Sequence, residues 1–234
     1  MEKHIDFHAD GLRLNGTLHQ PDTAHPPVVI GVHGMLSTGQ SPKQRALAER
    51  LNQRGIAYFR FDHRGCGQSD GRFAEMTTFE GRCNDLVAAI ETVTALPAIG
   101  TPLGLFGSSM GGAVCIAVAA DFAVKTLVTL AAPVRFAAIQ VPIHVEFEPA
   151  FAGMTPQQME FDLADRLHRI KNIFIVHGDA DEIVPYENAE QIHSGTRAPK
   201  ELFRLNDADH ALSDPTHQEQ FMTKTIAWFE NRLY

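Results

Sequence analysis

Cysteine is scarce, with three in 234 residues at Cys66, Cys83 and Cys115 and no C-x-x-C pair. Thiols scattered this way build neither a disulfide frame nor a zinc cluster; they fit reduced side chains, so the chain reads as cytoplasmic. A basic block is also missing. Lys and Arg number 20 against 28 Asp and Glu, for a formal net charge of −8. Such a chain is a poor partner for nucleic acid or an anionic membrane. No apolar run is long enough to span a bilayer, and the start, "MEKHIDFHAD", has no apolar signal core. There is no G-K-[ST], hence no Walker phosphate loop. None of the 12 histidines forms an H-x-x-x-H pair beside a glutamate, which argues against a zinc hydrolase. No metal and no cofactor are expected.

What is present is ordinary for a globular protein, 44% hydrophobic and 21% charged. Apolar runs rich in β-branched and aromatic residues recur at 28–32, 56–61, 103–106, 125–130, 173–176 and 202–205. Most are continuous and not alternating, as strands buried on both faces require. Helical patterns separate them, at 41–54, 78–96, 110–122, 155–170 and 215–233. The first opens Ser-Pro and stops at Gly55, and the fourth opens "TPQQ", a cap, a first-position proline and a glutamine three residues on. Strands alternating with helices predict a mostly parallel sheet of about eight strands covered on both faces. Segments 3–9 and 12–20, joined by "DG", alternate in polarity and predict an antiparallel hairpin at one edge. There is no repeat or linker, so residues 1–234 are expected to form a single domain.

One stretch breaks the pattern. "LGLFGSSMGGAVCIAVAA" (103–120) runs from a strand into a small-residue helix through glycines and two serines. Gly107-Ser108-Ser109-Met110-Gly111 fits G-x-S-x-G, a weak motif alone but one placed here between strand and helix, where its mechanics apply. The glycines let strand and helix approach, and Ser109 is presented at the helix N-terminus, where N–H groups and the dipole favour developing negative charge. A glycine-rich helix start without chemistry is the plain alternative. "GCGQSDG" (65–71) has the first two glycines of a dinucleotide loop. Asp70 replaces the third, and "GRFAEM" does not read as a helix start, so that reading is rejected.

With three further stretches the sequence resembles the α/β-hydrolase fold, in its serine esterase and lipase-like branch. They are "GVHGML" (31–36), "FDHRGCGQSDG" (61–71) and "IFIVHGDADEIVP" (173–185), joined by "DADH" before the last helix. The resemblance covers nearly the whole chain and implies a nucleophile, acid and base in that order. Ser109 would be the nucleophile. The family's acid position falls on Asp181, three residues after Gly178; Asp179 competes and reads as a turn-shaping Asx residue. The family's histidine position falls on His210. His193, on a helix, and His217, near a helix start, read as surface residues, His177 as structural, and His33 as a loop-shaping residue. The oxyanion donors implied are the N–H groups of Met35 and Met110.

Where the family inserts lids, residues at about 132–171 leave room for a short one, similar to that of small bacterial feruloyl or cinnamoyl esterases. Phe136, His144, Phe147 and Phe151 are candidate substrate contacts, although the phenylalanines could equally anchor the lid to the core. The expected activity is a serine carboxylesterase acting on a small-molecule ester with a small or aromatic acyl group. Thioesterase or serine peptidase chemistry on the same triad, or a non-catalytic binding protein on the same fold, are the alternatives. A homodimer is compatible with all of them.

Overall fold

The structure, a computed structural model, describes residues 1–139 and 153–234. Strands with no polar stripe have no face to offer water, and they occupy the middle of the sheet. β3 (Val28–Val32), β4 (Ala57–Phe61) and β6 (Thr126–Leu130) are buried at every residue. β1 (Glu2–Ala9), β2 (Leu12–His19), β5 (Leu103–Ser108), β7 (Lys171–Gly178) and β8 (Arg197–Leu205) complete an eight-stranded sheet in the order β1-β2-β4-β3-β5-β6-β7-β8. The β1–β2 and β2–β4 pairs are antiparallel and all later pairs parallel. The expected edge hairpin is there. Asp10 and Gly11 both take positive φ, 50° and 81°, as a two-residue turn between twisted strands demands.

Successive side chains of a strand point to opposite faces, and two cores result. Val28, Ile30 and Val32 enter the core under α3 (Phe79–Thr94) and α4 (Met110–Ala119). Val29 enters the other, under α1 (Pro42–Asn52) and α6 (Pro215–Leu233). The helix starts follow the sequence signals. Ser41 Oγ accepts from Gln44 N, Thr78 Oγ1 from Gly81 N at 2.9 Å, and Asp214 Oδ1 from Thr216 N at 2.7 Å. Each satisfies an orphan first-turn amide, which contributes about 1 kcal/mol. The remaining helices are α2 (Phe73–Met76) and α5 (Glu187–Gly195).

Two expectations are corrected. The helix expected over 155–170 is two short 3-10 turns, Pro156–Met159 and Ala164–Arg169. The chain between them pairs with the segment after β6 instead of with itself: Phe136 N donates to Phe161 O at 3.0 Å and Leu163 N to Val134 O at 2.9 Å. The "TPQQ" signal still acts locally, with Gln158 Oε1 accepting from Thr155 N at 2.7 Å. The second correction lies in "GRFAEM", whose residues 73–76 form the single turn α2, with Arg72 O accepting from Glu75 N and Met76 N. One turn carries too little apolar periodicity to be seen in sequence.

Candidate active site

Ser109 sits between β5 and α4 with φ 53° and ψ −126°. A non-glycine residue there is strained by on the order of 1–3 kcal/mol, held only because its surroundings fix it. Those surroundings are the glycines. A side chain on Gly107 would collide with Gly111 O, and one on Gly111 with Val32 O. Ser109 N donates to Leu130 O at 2.7 Å and Ser109 O accepts from Gly112 N at 2.8 Å, which pins the turn from both sides.

Asp181, in the loop after β7, and His210, in the loop after β8, meet Ser109 across the ends of the strands. His210 Nε2 lies 3.1 Å from Ser109 Oγ, and His210 Nδ1 lies 2.8 Å from Asp181 Oδ2. The Asp181 side chain is 1% exposed. Its Oδ1 accepts from the backbone N–H groups of Ile183 and Val184 at 2.9 and 2.7 Å. Burial pushes this carboxyl up, but donors from His177, His210 and Val184 outweigh it and hold the group well below the usual carboxylate range. A permanent carboxylate at Nδ1 fixes the proton there and leaves the Nε2 lone pair facing the serine hydroxyl.

His177 is more than structural filling. Its Nε2 lies 2.8 Å from Val184 O and 3.2 Å from Asp181 Oδ2, so one N–H braces both the acid and its turn. Sequence reading missed this because the contact depends on how the loop folds back over the strand end. Asp179 also differs from expectation. Its carboxylate accepts from Arg204 Nε at 2.7 Å and from Asp207 N at 2.6 Å, tying the β7 loop to the β8 loop. The local Asx role belongs to Asp181.

Met35 and Met110 line the same cavity as Ser109 and His210. A side chain on Gly34 would stand 3.5 Å from Ser109 Cβ, so the loop passes close to the serine. Its orientation has a clear cause. His33 Nε2 accepts from His63 N at 3.1 Å, which places the proton on Nδ1, 2.7 Å from Gly34 O. Burial holds His33 well below the ordinary imidazole value, so it stays neutral. Arg82, fully buried, donates to Met35 O at 2.9 Å and Gly34 O at 3.4 Å, and no carboxylate pairs with it among the described residues. With Gly34 O held by two donors, the trans peptide turns the Met35 N–H away from the buried guanidinium. Nothing in "GRCNDL" marked Arg82 in sequence, since its partners are main-chain carbonyls and the Cys66 sulfur, all distant along the chain.

His63 closes this network, its Nδ1 3.1 Å from Asp85 Oδ2 in full burial. Burial is the larger influence and holds the imidazole down to about 4, against the pull of Asp85. The unfolded chain therefore binds the extra proton between that value and about 6.5, and stability is lost as pH falls through that window. The expected result is a melting temperature level above pH 6.5 that drops by on the order of 5–10 °C toward pH 4. A level melting temperature across the window, followed by circular dichroism, would overturn a neutral buried His63.

The cavity at Ser109 has a volume of about 530 Å³. Phe106, Met110, Ile139 and Ile183 give it apolar walls, and Ser41, Lys43 and Gln44 bring polar groups from the start of α1. Phe136 does not line it. Its ring packs 6.4 Å from Phe161, which stacks on Phe79 at 4.1 Å, an anchoring position. His144, Phe147 and Phe151 lie outside the described residues. His193 and His217 do not line the cavity either.

A strand-turn-helix serine, a buried acid and a histidine between them, on a mostly parallel sheet, narrow the possible relatives. A family model described as serine aminopeptidase, S33 (Hydrolase_4) matches residues 23–160. The chain belongs to this hydrolase family. Among curated proteins, YfhR of Salmonella typhi is 27% identical over 215 residues, covering 86% of this chain and 71% of YfhR. The mitochondrial palmitoyl-protein thioesterase ABHD10 of Bos taurus is 28% identical over 192 residues, 71% of this chain and 60% of that protein. Est1E of Butyrivibrio proteoclasticus, solved with ferulic acid bound, superposes with a TM-score of 0.80 at 21% identity, covering 97% of this chain and 98% of Est1E. That last likeness is one of fold. The chain is an α/β hydrolase, and no helix among the described residues is long and apolar enough to cross a membrane.

Proposed function

We propose that this hydrolase is a serine esterase that cleaves small-molecule carboxylic esters of small or aromatic acyl groups through an acyl-enzyme intermediate. The observation that carries the reading is the continuous line from Ser109 Oγ through His210 to the buried Asp181, at 3.1 and 2.8 Å. Ser109 Oγ attacks the ester carbonyl as His210 Nε2 takes its proton, and charge on the carbonyl oxygen meets the N–H groups of Met35 and Met110. Collapse breaks the bond to the alcohol, which leaves with the proton from His210. Water then attacks the acyl-serine by the same route in reverse roles and releases the acid. Asp181 remains ionised throughout.

The small-acyl preference rests on the cavity. A long fatty chain contributes about 0.8 kcal/mol per buried CH₂ only along an unbroken apolar trough. Here Ser41, Lys43 and Gln44 interrupt the wall. The insertion at about 132–171 is part of the same reading, as a short lid on a single domain. A thioester reading also has specific support, from the identity with the palmitoyl-protein thioesterase of Bos taurus.

Two measurements test this. A fluorophosphonate probe is expected to label wild-type protein at Ser109, and a folded but unlabelled protein would favour a binding role. Acetyl, butyryl, cinnamoyl and palmitoyl esters of one alcohol, with the matching thioesters, are then compared by kcat/KM. Highest efficiency on a palmitoyl thioester would overturn the small-ester assignment.

A further inference from the structure

The first turn of α1 enters the same cavity as Ser109 and His210, through Ser41, Lys43 and Gln44. Lys43 is the only lysine or arginine among the described lining residues, and no aspartate or glutamate joins it there. Its ammonium has three donors. One is used, toward Ala211 O at 3.1 Å, and no carboxylate pairs with it among the described residues. Asp209 lies near enough to pull the amine up, but burial is the larger influence and brings it down to about 8. A partly desolvated cation with no carboxylate in contact is costly to keep, and it gains from an anion delivered into the cavity.

Gln44 brings a second donor to the same wall. It is 2% exposed and lines the cavity. Its Oε1 accepts from the Tyr58 hydroxyl, and its Nε2 has no partner among the described residues. An amide NH₂ on a cavity wall with no protein acceptor keeps its hydrogens for a ligand. The N-terminal end of α1, an 11-residue helix, adds positive potential at the same place.

We propose that this side of the cavity binds a carboxylate carried by the substrate, with Lys43 as counter-ion and the Gln44 amide as second donor. The inference rests on the reading of Ser109 as the acyl-transfer nucleophile and gives that reaction its substrate class, an ester that bears a free acid group. Which half of the ester carries the acid depends on which half reaches α1.

The test uses two pairs of esters. Monomethyl glutarate against methyl 5-methylhexanoate puts the charge on the acyl side, and 4-acetoxybutanoate against 4-methylpentyl acetate puts it on the alcohol side. Wild type, Lys43→Met and Lys43→Arg are compared by the ratio of kcat/KM within each pair. One pair is expected to favour its anionic member in wild type, with the ratio falling about tenfold in Lys43→Met and largely kept in Lys43→Arg. Ratios within twofold of wild type in Lys43→Met for both pairs overturn the proposal. Binding of the same four esters to Ser109→Ala, by ligand-observed NMR with and without Lys43→Met, gives a readout that needs no turnover. Tighter anionic binding that depends on Lys43 upholds the carboxylate site even if no ester is hydrolysed, and equal binding of both members of each pair rejects it.

Discussion

Ser109→Ala is expected to fold as wild type does and to lose ester hydrolysis by about three to four orders of magnitude, the scale of triad deletions in serine hydrolases. The alanine keeps the Cβ, so the strain of φ 53° is unchanged and the glycine contacts around the turn remain. Among the described residues the removed hydroxyl has one hydrogen-bond partner, His210 Nε2, on a ring that water reaches. Losing it leaves no buried group unsatisfied, and the melting temperature should move by no more than a few degrees. Residual turnover comes from water attacking an ester held between the oxyanion donors and His210. A variant within tenfold of wild-type kcat would show that the nucleophile is another group. Loss of folding would be read from the melt and not from the rate.

The sheet was legible because its central strands are buried on both faces. Val28–Val32 needs no tertiary information to be seen as a central strand. The elbow was legible because few backbones require glycine, serine and glycine at that spacing between a strand and a helix. Asp181 and His210 could be placed by resemblance, and Asp181 Oδ2 and His210 Nδ1 do lie within hydrogen-bond distance. Other parts of the site depend on contacts distant in sequence. Arg82 reaches carbonyl oxygens of the β3–α1 loop, and carbonyls leave no mark on residue identity. Lys43 stands in a helix start, and nothing in its local sequence marks that turn as a wall of the cavity. The 155–170 segment had the spacing of a helix, but pairing with residues 134–136 captured its backbone first. In each case local pattern gave the element's propensity, and a partner far along the chain decided the outcome.

The two aspartates after β7 should part company under the same substitution. In Asp181→Asn, the oxygen that takes the Ile183 and Val184 amides is kept best by the amide oxygen. The new NH₂ then stands where Oδ2 stood, facing His177 Nε2 and His210 Nδ1, both of which present N–H to the carboxylate. Donor meets donor at each. His210 relieves its clash by moving the proton to Nε2, where it can no longer accept from Ser109, and the imidazolium formed during attack loses its counter-charge. The expected loss in kcat is about 10³–10⁴-fold. Stability should also fall, by about 1–3 kcal/mol, because a buried polar contact is broken at His177. Asp179→Asn keeps an acceptor for Asp207 N and weakens only the pairing with Arg204 at the surface. Its kcat should stay within about threefold of wild type, since an exposed ion pair contributes little and Asp179 makes no contact with His210. The measurement is kcat on one chromogenic ester with a thermal melt for each variant. If Asp179→Asn costs more in kcat than Asp181→Asn at comparable folding, the acid of this site is Asp179 and the line from Ser109 through His210 must be redrawn.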